Sequence, residues 1–460
     1  MAQSTPAVVA RQLDHLRSSF AQQPGLPLVD LLPENTPELL GPSSDRIYTP
    51  LVTLTLFLWQ TLVDGSCQAA VARLLAHLAA TGQPSCSANT SGYCKARQRL
   101  PEKSLHTLTQ HTGATLSQRA DRRWLWKDRR VRIVDGTTID MPDTEENQKE
   151  YPQSDGQKPG IGSPIIRLVV LFCLATGAVL EAAFSPYCGK GTGEISLLRR
   201  AWNTFESRDV VLGDCIYCSY FEIALLRKRN IDVVLHKHQS RRTDFRTGTR
   251  LGRNDHIITW NKPARPDWMS VEEYKELPKT MDVREVRVLV NCPGFRTKRY
   301  EVITTLMDAK TTTVVELADL YRQRWHAELD LRSLKSVMGM DQLHCKTPEM
   351  VRRELWTNLL AYNLVRGVMA QSASVASVAP RRLSFTSALR TVVEFAPVLS
   401  GAVGGDRQEC LKRLWTAVGT HRVGNRPNRF EPRAVKKRKK CYPALREPRK
   451  LARQRLLRKK

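Results

Sequence analysis

Residues 165–184 read IIRLVVLFCLATGAVLEAAF, and the fold class turns on this stretch. Ile165–Leu174 is a long run of branched and bulky apolar residues, Thr176-Gly177 suits a tight turn, and Ala178–Phe184 runs back. Upstream, Val131–Val134 reads as a short strand that runs out at Asp135-Gly136-Thr137. A polar loop follows it through Gly162, broken by Pro142, Pro152 and Pro159, with Pro164 just before the next strand. Downstream, Glu194–Phe205 reads as helix and Val210–Leu212 as a buried strand ending at Gly213-Asp214. Tyr220–Lys228 is a second helix and Ile231–Leu235 a further strand. The order β-β-β-α-β-α-β is a three-stranded meander followed by alternation. It predicts an α/β fold, a mixed sheet covered by helices.

The flanks read differently. Residues 1–125 are expected to be a helical N-terminal domain that binds DNA ends, with helical apolar spacing in Leu51–Leu58 and Ala69–Leu78. Its end is basic at Arg97, Arg99 and Lys103, beside Gln98. Residues 126–369 form the predicted catalytic domain. Within it, 236–308 reads as a β-rich insertion with a basic edge (Arg241, Arg242, Arg246, Arg250 and Arg253). Continuation of the sheet is the less favoured reading there, because crossover helices are missing. Thr312–Gly339 is expected as one long helix, and Pro348–Met369 as another with Leu355, Leu359, Leu360 and Leu364 on its apolar side. Residues 370–460 are read as a helical C-terminal region ending in a basic tail.

The chain has 72 Lys and Arg against 45 Asp and Glu, a net charge of +27. Such an excess calls for a polyanionic partner, nucleic acid before an anionic membrane. Residues 431–460 hold 14 Lys and Arg against two Glu, a segment that could lie along a phosphate backbone. The most apolar stretch, Leu51–Val63, is short and carries Thr53, Thr55, Gln60 and Thr61, so no membrane partner is expected. The first 25 residues lack the layout of a secretory leader. A cytoplasmic location is the expectation. The eleven cysteines are scattered, and the single close pair, Cys215 and Cys218, reads as incidental or buried thiols.

Tyr321, Arg324, Glu328 and Lys335 fall at i, i+3, i+7 and i+14. On an uninterrupted helix they would share one stripe within about 60°. A core-facing stripe would be apolar; this one is a phenol, a guanidinium, a carboxylate and an ammonium. Asp135 and Asp214 each lie where an apolar run gives out beside a glycine, the place where α/β sheets open onto a ligand crevice. Three carboxylates suit a pair of Mg²⁺ ions, which take oxygen ligands and complete their shells with water and substrate phosphate. Two such ions stabilise the attacking and the leaving oxygen of a displacement at phosphorus. Arg324 and Lys335 would hold phosphates, and Tyr321 would donate to a phosphate oxygen.

Tyr321-Arg-Gln-Arg324-Trp-His-Ala-Glu328 followed by Lys335 resembles the Y-x2-R-x3-E-x6-K signature of bacterial insertion-sequence DDE transposases of the cut-and-paste group. Asp135-Gly136-Thr137 is similar to that family's first-aspartate motif, and Gly213-Asp214 to its second. Met141–Thr144, Gln157–Gly160, Arg167–Val169, Arg426-Pro427, Glu431–Arg433 and Tyr442-Pro443 extend the likeness over roughly residues 45–460. Cys215 departs from it, since relatives more often have Arg or Gly after the aspartate. The resemblance implies an RNase H-like catalytic core with a β-rich insertion, and Asp135, Asp214 and Glu328 as catalytic residues binding two Mg²⁺ or Mn²⁺ ions. It implies double-stranded DNA with terminal inverted repeats as substrate, a hairpin intermediate, strand transfer into target DNA, and a homodimer in the synaptic complex. A hairpin needs an aromatic surface for an unstacked base, for which Tyr300, Trp260 and Trp325 are the candidates. Two other readings are a nuclease without strand transfer and an inactive DNA-binding regulator of transposition.

Overall fold

The computed structural model describes residues 32–42, 47–63, 65–80, 82, 85–290, 298–401, 404–424 and 447–458. The motifs expected at Arg426-Pro427, Glu431–Arg433 and Tyr442-Pro443, and most of the basic tail, lie outside them. In chain order the N-terminal helices are α1 (Thr36–Leu40), α2 (Pro50–Leu62), α3 (Cys67–Ala80), α4 (Ser91–Arg99) and α5 (Glu102–Gln118). The meander is β1 (Val131–Asp140), a short α6 (Glu145–Glu150), β2 (Ile165–Cys173) and β3 (Val179–Pro186). Then come α7 (Glu194–Arg200), β4 (Val210–Gly213), α8 (Tyr220–Lys228) and β5 (Asp232–His236). A second group follows: β6 (Thr249–Gly252), β7 (Asp255–Asn261), α9 (Val271–Glu276), β8 (Thr280–Val290) and β9 (Lys298–Thr304). The chain continues through α10 (Val314–Arg322), α11 (Trp325–Arg332), α12 (Pro348–Val375), α13 (Phe385–Gly401), α14 (Gly404–Thr420) and α15 (Arg449–Arg458).

The strands form one nine-stranded sheet in the order β3-β2-β1-β4-β5-β9-β8-β7-β6. β1 pairs antiparallel with β2 but parallel with β4, and β4 parallel with β5. This mixed core between helical flanks is the RNase H-like arrangement expected from the sequence. Two expectations need correction. β1 does not stop at Val134: β2 offers it a partner as far as Asp140↔Ile165, so it stays extended after β4 has ended at Gly213. Nor do residues 236–308 stand apart from the sheet. β9 pairs antiparallel with β5, Leu235↔Ile303, and β8, β7 and β6 extend the same sheet outward. Antiparallel neighbours need no crossover helix, so its absence did not argue against continuation.

One face of the sheet, through Ile133, Leu168 and Phe172, packs in a single core with Phe57, Leu105 and Leu359 of α2, α5 and α12. α12 is buried on nearly every side from Glu354 to Met369, its few polar side chains there enclosed with the apolar ones, as befits a helix in the middle of this layer. α5 lies so close to β3 that a Cβ at Gly113 would stand 2.0 Å from the Val179 carbonyl oxygen, and only glycine fits there. The other face, through Val134 and Val169, packs on Leu197 and Leu198 of α7 and Ile223 of α8. No helix among the described residues is long and apolar enough to cross a membrane.

The expected single helix over Thr312–Gly339 is interrupted twice. Around Gln323 and Arg324 the backbone tightens into i→i+3 bonds: Arg324 N–H to Tyr321 O at 3.1 Å and Ala327 N–H to Arg324 O at 2.9 Å. Ser333–Val337 is then a π turn, closed by Met338 N–H donating to Ser333 O at 3.1 Å. The helix expected over Glu194–Phe205 likewise ends at Arg200, followed by a 3₁₀ turn at Trp202–Thr204.

Candidate active site

Strand register brings the two aspartates together. Ile133 pairs with Leu212 across β1 and β4, and Gly213 with Leu235 across β4 and β5. Carrying the parallel register forward sets Asp135, Asp214 and His236 in one row on adjacent strands, about 5 Å apart per step. Asp135 is therefore within a strand rather than at its end. It stands where its neighbour β4 runs out, and that is what opens its side chain to a cleft.

Glu328 reaches the same place from α11. Arg324 Nη2 donates to Glu328 Oε1 at 3.0 Å, and the same guanidinium acts electrostatically on both Asp135 and Asp214. One arginine is thus the common counter-charge of three carboxylates that come from β1, the end of β4 and α11. Asp135 and Glu328 line an open cavity of about 580 Å³ together with Asp140, Arg332, Lys335 and Asp341. Lys335, carried by the π turn, donates from Nζ to Thr137 Oγ1 at 3.1 Å and to Thr138 O at 2.7 Å, at the rim of that cavity.

The two aspartates are driven apart in acidity. Burial pushes Asp135 up to about 6, against the opposing pull of the Gly136 N–H and Arg324. The neighbouring Glu328 and Glu194 carboxylates add to the rise. Asp214 is held well below the ordinary carboxylate range, chiefly by the His236 ring beside it, with the Cys215 N–H and Arg324 helping against its partial burial. Opposite environments for paired carboxylates are common where acid and base work is done.

The shift at Asp135 has a consequence for stability. An unfolded aspartate titrates near about 3.9, so between there and about 6 the folded protein holds the extra proton. Stability of the metal-free protein must fall as pH rises through that window, and the cost is complete above it. Asp135→Asn is expected to gain about 2 kcal/mol at pH 7.5 and nothing at pH 4, a discounted figure for a side chain partly open to the cleft. Urea melts in a chelator at both pH values check this; an equal gain at both would contradict it.

The other sequence candidates fall in several places. Tyr321 is buried, its ring 5.2 Å from that of Tyr300 and 6.3 Å from His236. The single polar stripe is therefore corrected. Arg324 and Glu328 share a face, Tyr321 buries its ring while its hydroxyl stays beside Arg324, and Lys335 is redirected by the π turn towards β1. Trp260 is buried in the core of the sheet extension with Arg241 stacked 3.6 Å over its ring, so it does not present a surface to DNA. Tyr300 is half-buried, and Trp325 is 48% exposed beside Arg324 at the start of α11. Arg97, counted in the basic end of the N-terminal region, is buried with its guanidinium 4.8 Å over Phe57. Arg250 and Arg253 are exposed on and beside β6, the last strand of the sheet.

His236 and Glu194 escaped the sequence reading, and Cys215 was read there only as an incidental or buried thiol. His236 Nδ1 lies 3.6 Å from Asp214 Oδ1, and with Cys215 these form a cluster that could coordinate a divalent ion. His236 follows the apolar run Val233–Leu235 as Asp214 follows Val210–Gly213, and the same signal would have found it. Glu194 opens α7; its carboxylate carbon sits 2.4 Å from where a Cβ at Gly136 would be, and its Oε2 accepts from the Tyr217 hydroxyl at 3.1 Å. Nothing in the sequence pairs positions 136 and 194.

Comparison with known proteins agrees with this geometry. The profile of the family described as "Transposase DDE domain" matches residues 126–364. The chain is 28% identical over 365 residues to the transposase InsG for insertion sequence element IS4 of Escherichia coli K12, covering 77% of this chain and 78% of that one. It is 39% identical over 57 residues to the putative transposase InsL for insertion sequence element IS186A of the same organism, 12% of this chain and 15% of that one. Among solved structures, a cryo-EM structure of the piggyBac transposase synaptic complex with hairpin DNA is similar over 88% of this chain and 85% of that chain, at 9% identity and a TM-score of 0.42. With a profile match over more than half its length, a mixed-sheet core of this order and three carboxylates gathered on one arginine, the chain belongs to the DDE transposase domain family.

Proposed function

We propose that this protein is a DNA transposase of the cut-and-paste group marked by the Y-x2-R-x3-E-x6-K signature. In this reading it cleaves transposon ends, forms and opens a hairpin on the excised end, and joins that end to target DNA. The observation that carries it is the convergence of Asp135, Asp214 and Glu328 on Arg324. The residues fit the two Mg²⁺ or Mn²⁺ ions expected of the family: the donors are carboxylate oxygens, and Asp135 is a half-buried acid whose ionised form a cation would favour. Bound there, such ions would neutralise charge at the attacked phosphate and make a water nucleophilic at neutral pH.

The chain's own residues do the rest. Asp135, Asp214 and Glu328 hold the ions, Arg324 and Lys335 receive phosphate oxygens, and Tyr321 braces Arg324 from within the core. Trp325, exposed beside Arg324, is the stacking candidate best placed for a displaced base, with Tyr300 behind it. Residues 1–125 and 370–460 would flank the catalytic region 126–369 and bind end DNA, in the bacterial cytoplasm, with two copies synapsing two ends. The +27 charge supports the choice of partner.

The test incubates the full chain with DNA carrying the terminal inverted repeats of its element and a target plasmid, in Mg²⁺ and in Mn²⁺. Nicked, hairpin and joined products are expected. Cleavage without joining would favour a nuclease, and tight binding without cleavage in either ion a regulator. Each outcome overturns the proposal.

A further inference from the structure

Asp214 also has a sulfur and a nitrogen donor beside it that the proposed Mg²⁺ centre does not use. Asp214 Oδ1, Cys215 Sγ and a ring nitrogen of His236 can each offer one ligand atom, all within 4.8 Å of one another, and all three residues are half-buried. Their positions follow from the fold. The parallel register of β4 and β5 sets Asp214 beside His236, and Cys215 opens the 3₁₀ turn Cys215–Tyr217 that Asp214 caps by accepting from the Cys215 N–H at 2.6 Å. The His236 ring is held edge-on to Tyr300 at 5.3 Å, so its orientation towards Asp214 is braced from behind. One carboxylate, one thiol and one imidazole are the donors of borderline ions such as Zn²⁺ and Co²⁺; Mg²⁺ has no use for sulfur.

We infer that Asp214, Cys215 and His236 form a mixed-donor site for a borderline divalent ion, Zn²⁺ or Co²⁺, which shares Asp214 with the proposed catalytic centre. On binding, the Cys215 thiol gives its proton to solvent and the thiolate bonds to the ion, with water or a DNA phosphate in the fourth position. Arg324 opposes this ion electrostatically, and it is drawn away towards Glu328 at 3.0 Å. Cys218, three residues on, is buried in the core on the other side of the turn and is not part of the site. The inference has a regulatory consequence that rests on the proposed function. An ion held through sulfur and nitrogen takes Asp214 out of its use with Mg²⁺, so Zn²⁺ blocks cleavage.

The experiment titrates Co²⁺ into the full-length protein and follows absorption. Wild type is expected to show a thiolate-to-cobalt charge-transfer band that saturates at one equivalent and is displaced by Zn²⁺. Cys215→Ser should lose that band, and His236→Ala should weaken binding at least about tenfold. Cys218→Ser should retain both band and affinity. A titration with no charge-transfer band, or a band that survives Cys215→Ser, overturns the site. So does unchanged affinity in His236→Ala. Circular dichroism of each variant separates ligand loss from misfolding. A second arm measures Mg²⁺-dependent cleavage of end DNA with one equivalent of Zn²⁺: wild type should lose at least about tenfold, and Cys215→Ser should be resistant. If the band is absent while cleavage depends on Asp135 and Glu328, only this inference falls. If the band is present and no cleavage occurs in any ion, the mixed-donor site stands and the transposase reading falls.

Discussion

Glu328→Gln is expected to lower the rate of end cleavage by at least about 10³-fold while changing DNA affinity by less than about threefold. The substitution keeps the shape of the side chain and removes its charge. Three things follow at once. The proposed metal ligand is weakened from carboxylate to amide, the site as a whole loses one of the negative charges that would attract a divalent ion, and Arg324 keeps only a neutral acceptor in place of its 3.0 Å carboxylate partner. At 1.36 kcal/mol per decade, 10³ is about 4 kcal/mol of transition-state stabilisation. Asp135→Asn and Asp214→Asn should fall in the same range, and the triple variant should be little worse than any single one, because parts of one site do not contribute independently. DNA binding should survive, since phosphate contacts from an excess of 27 positive charges dominate affinity. Single-turnover cleavage of labelled end DNA, with binding measured separately by gel shift, decides it. A Glu328→Gln protein that cleaves within tenfold of wild type would remove Glu328 from the site.

Much of this site could be read in the sequence because its elements announce themselves locally. Asp135 and Asp214 each follow an apolar run and adjoin a glycine, and Glu328 sits in a signature whose spacing is helical. What was not legible depends on register and on tertiary contacts. That Asp135 is inside a strand follows from β2 continuing to pair with β1 where β4 does not, and no local feature of residues 131–140 says so. The row Asp135, Asp214, His236 exists because two parallel pairings align their ends, a relation among residues about 100 apart. The π turn at Ser333–Val337 has no Pro or Gly to mark it; it accompanies Lys335 bonding to Thr137 and Thr138 on β1. Tyr321 was assigned to a polar stripe by its hydroxyl, which does stay beside Arg324, but its ring area buries it against the half-buried rings of Tyr300 and His236. The sheet extension was misjudged for a different reason, a rule about parallel crossovers applied to strands that pair antiparallel.

A second large effect is expected at Asp330, two residues from Glu328 and on the buried side of α11. Its carboxylate is almost wholly enclosed and receives Arg381 Nη1 at 2.7 and 2.6 Å on its two oxygens, together with the Arg366 guanidinium. Arg381 also donates to the carbonyls of Leu174 at 2.7 Å and Cys173 at 3.0 Å, at the end of β2. Arg366 donates to the Tyr362 hydroxyl at 2.8 Å, which donates in turn to Gly177 O at 2.9 Å in the β2–β3 turn. One carboxylate thus ties the helix that carries Glu328 to α12 and to the sheet. Asp330→Ala leaves the buried Arg366 and half-buried Arg381 guanidinium groups without their charge partner, and breaking a buried pair in this way costs about 3–5 kcal/mol. For a chain of this size that lowers Tm by roughly 3–5 °C. Asp330→Asn, which keeps one acceptor oxygen, should lose about half as much. Replacing all three residues together, Asp330→Leu with Arg366→Met and Arg381→Met, should recover most of the stability, because a buried ion pair is worth little against well-packed apolar groups. Activity should not recover with it. The role assigned to Asp330 is to fix the rotation of α11, so the triple variant should fold and bind DNA yet cleave more slowly than wild type. A triple variant as active as wild type would show that packing alone positions Glu328. An Asp330→Ala protein as stable as wild type would show that the two arginines find other partners.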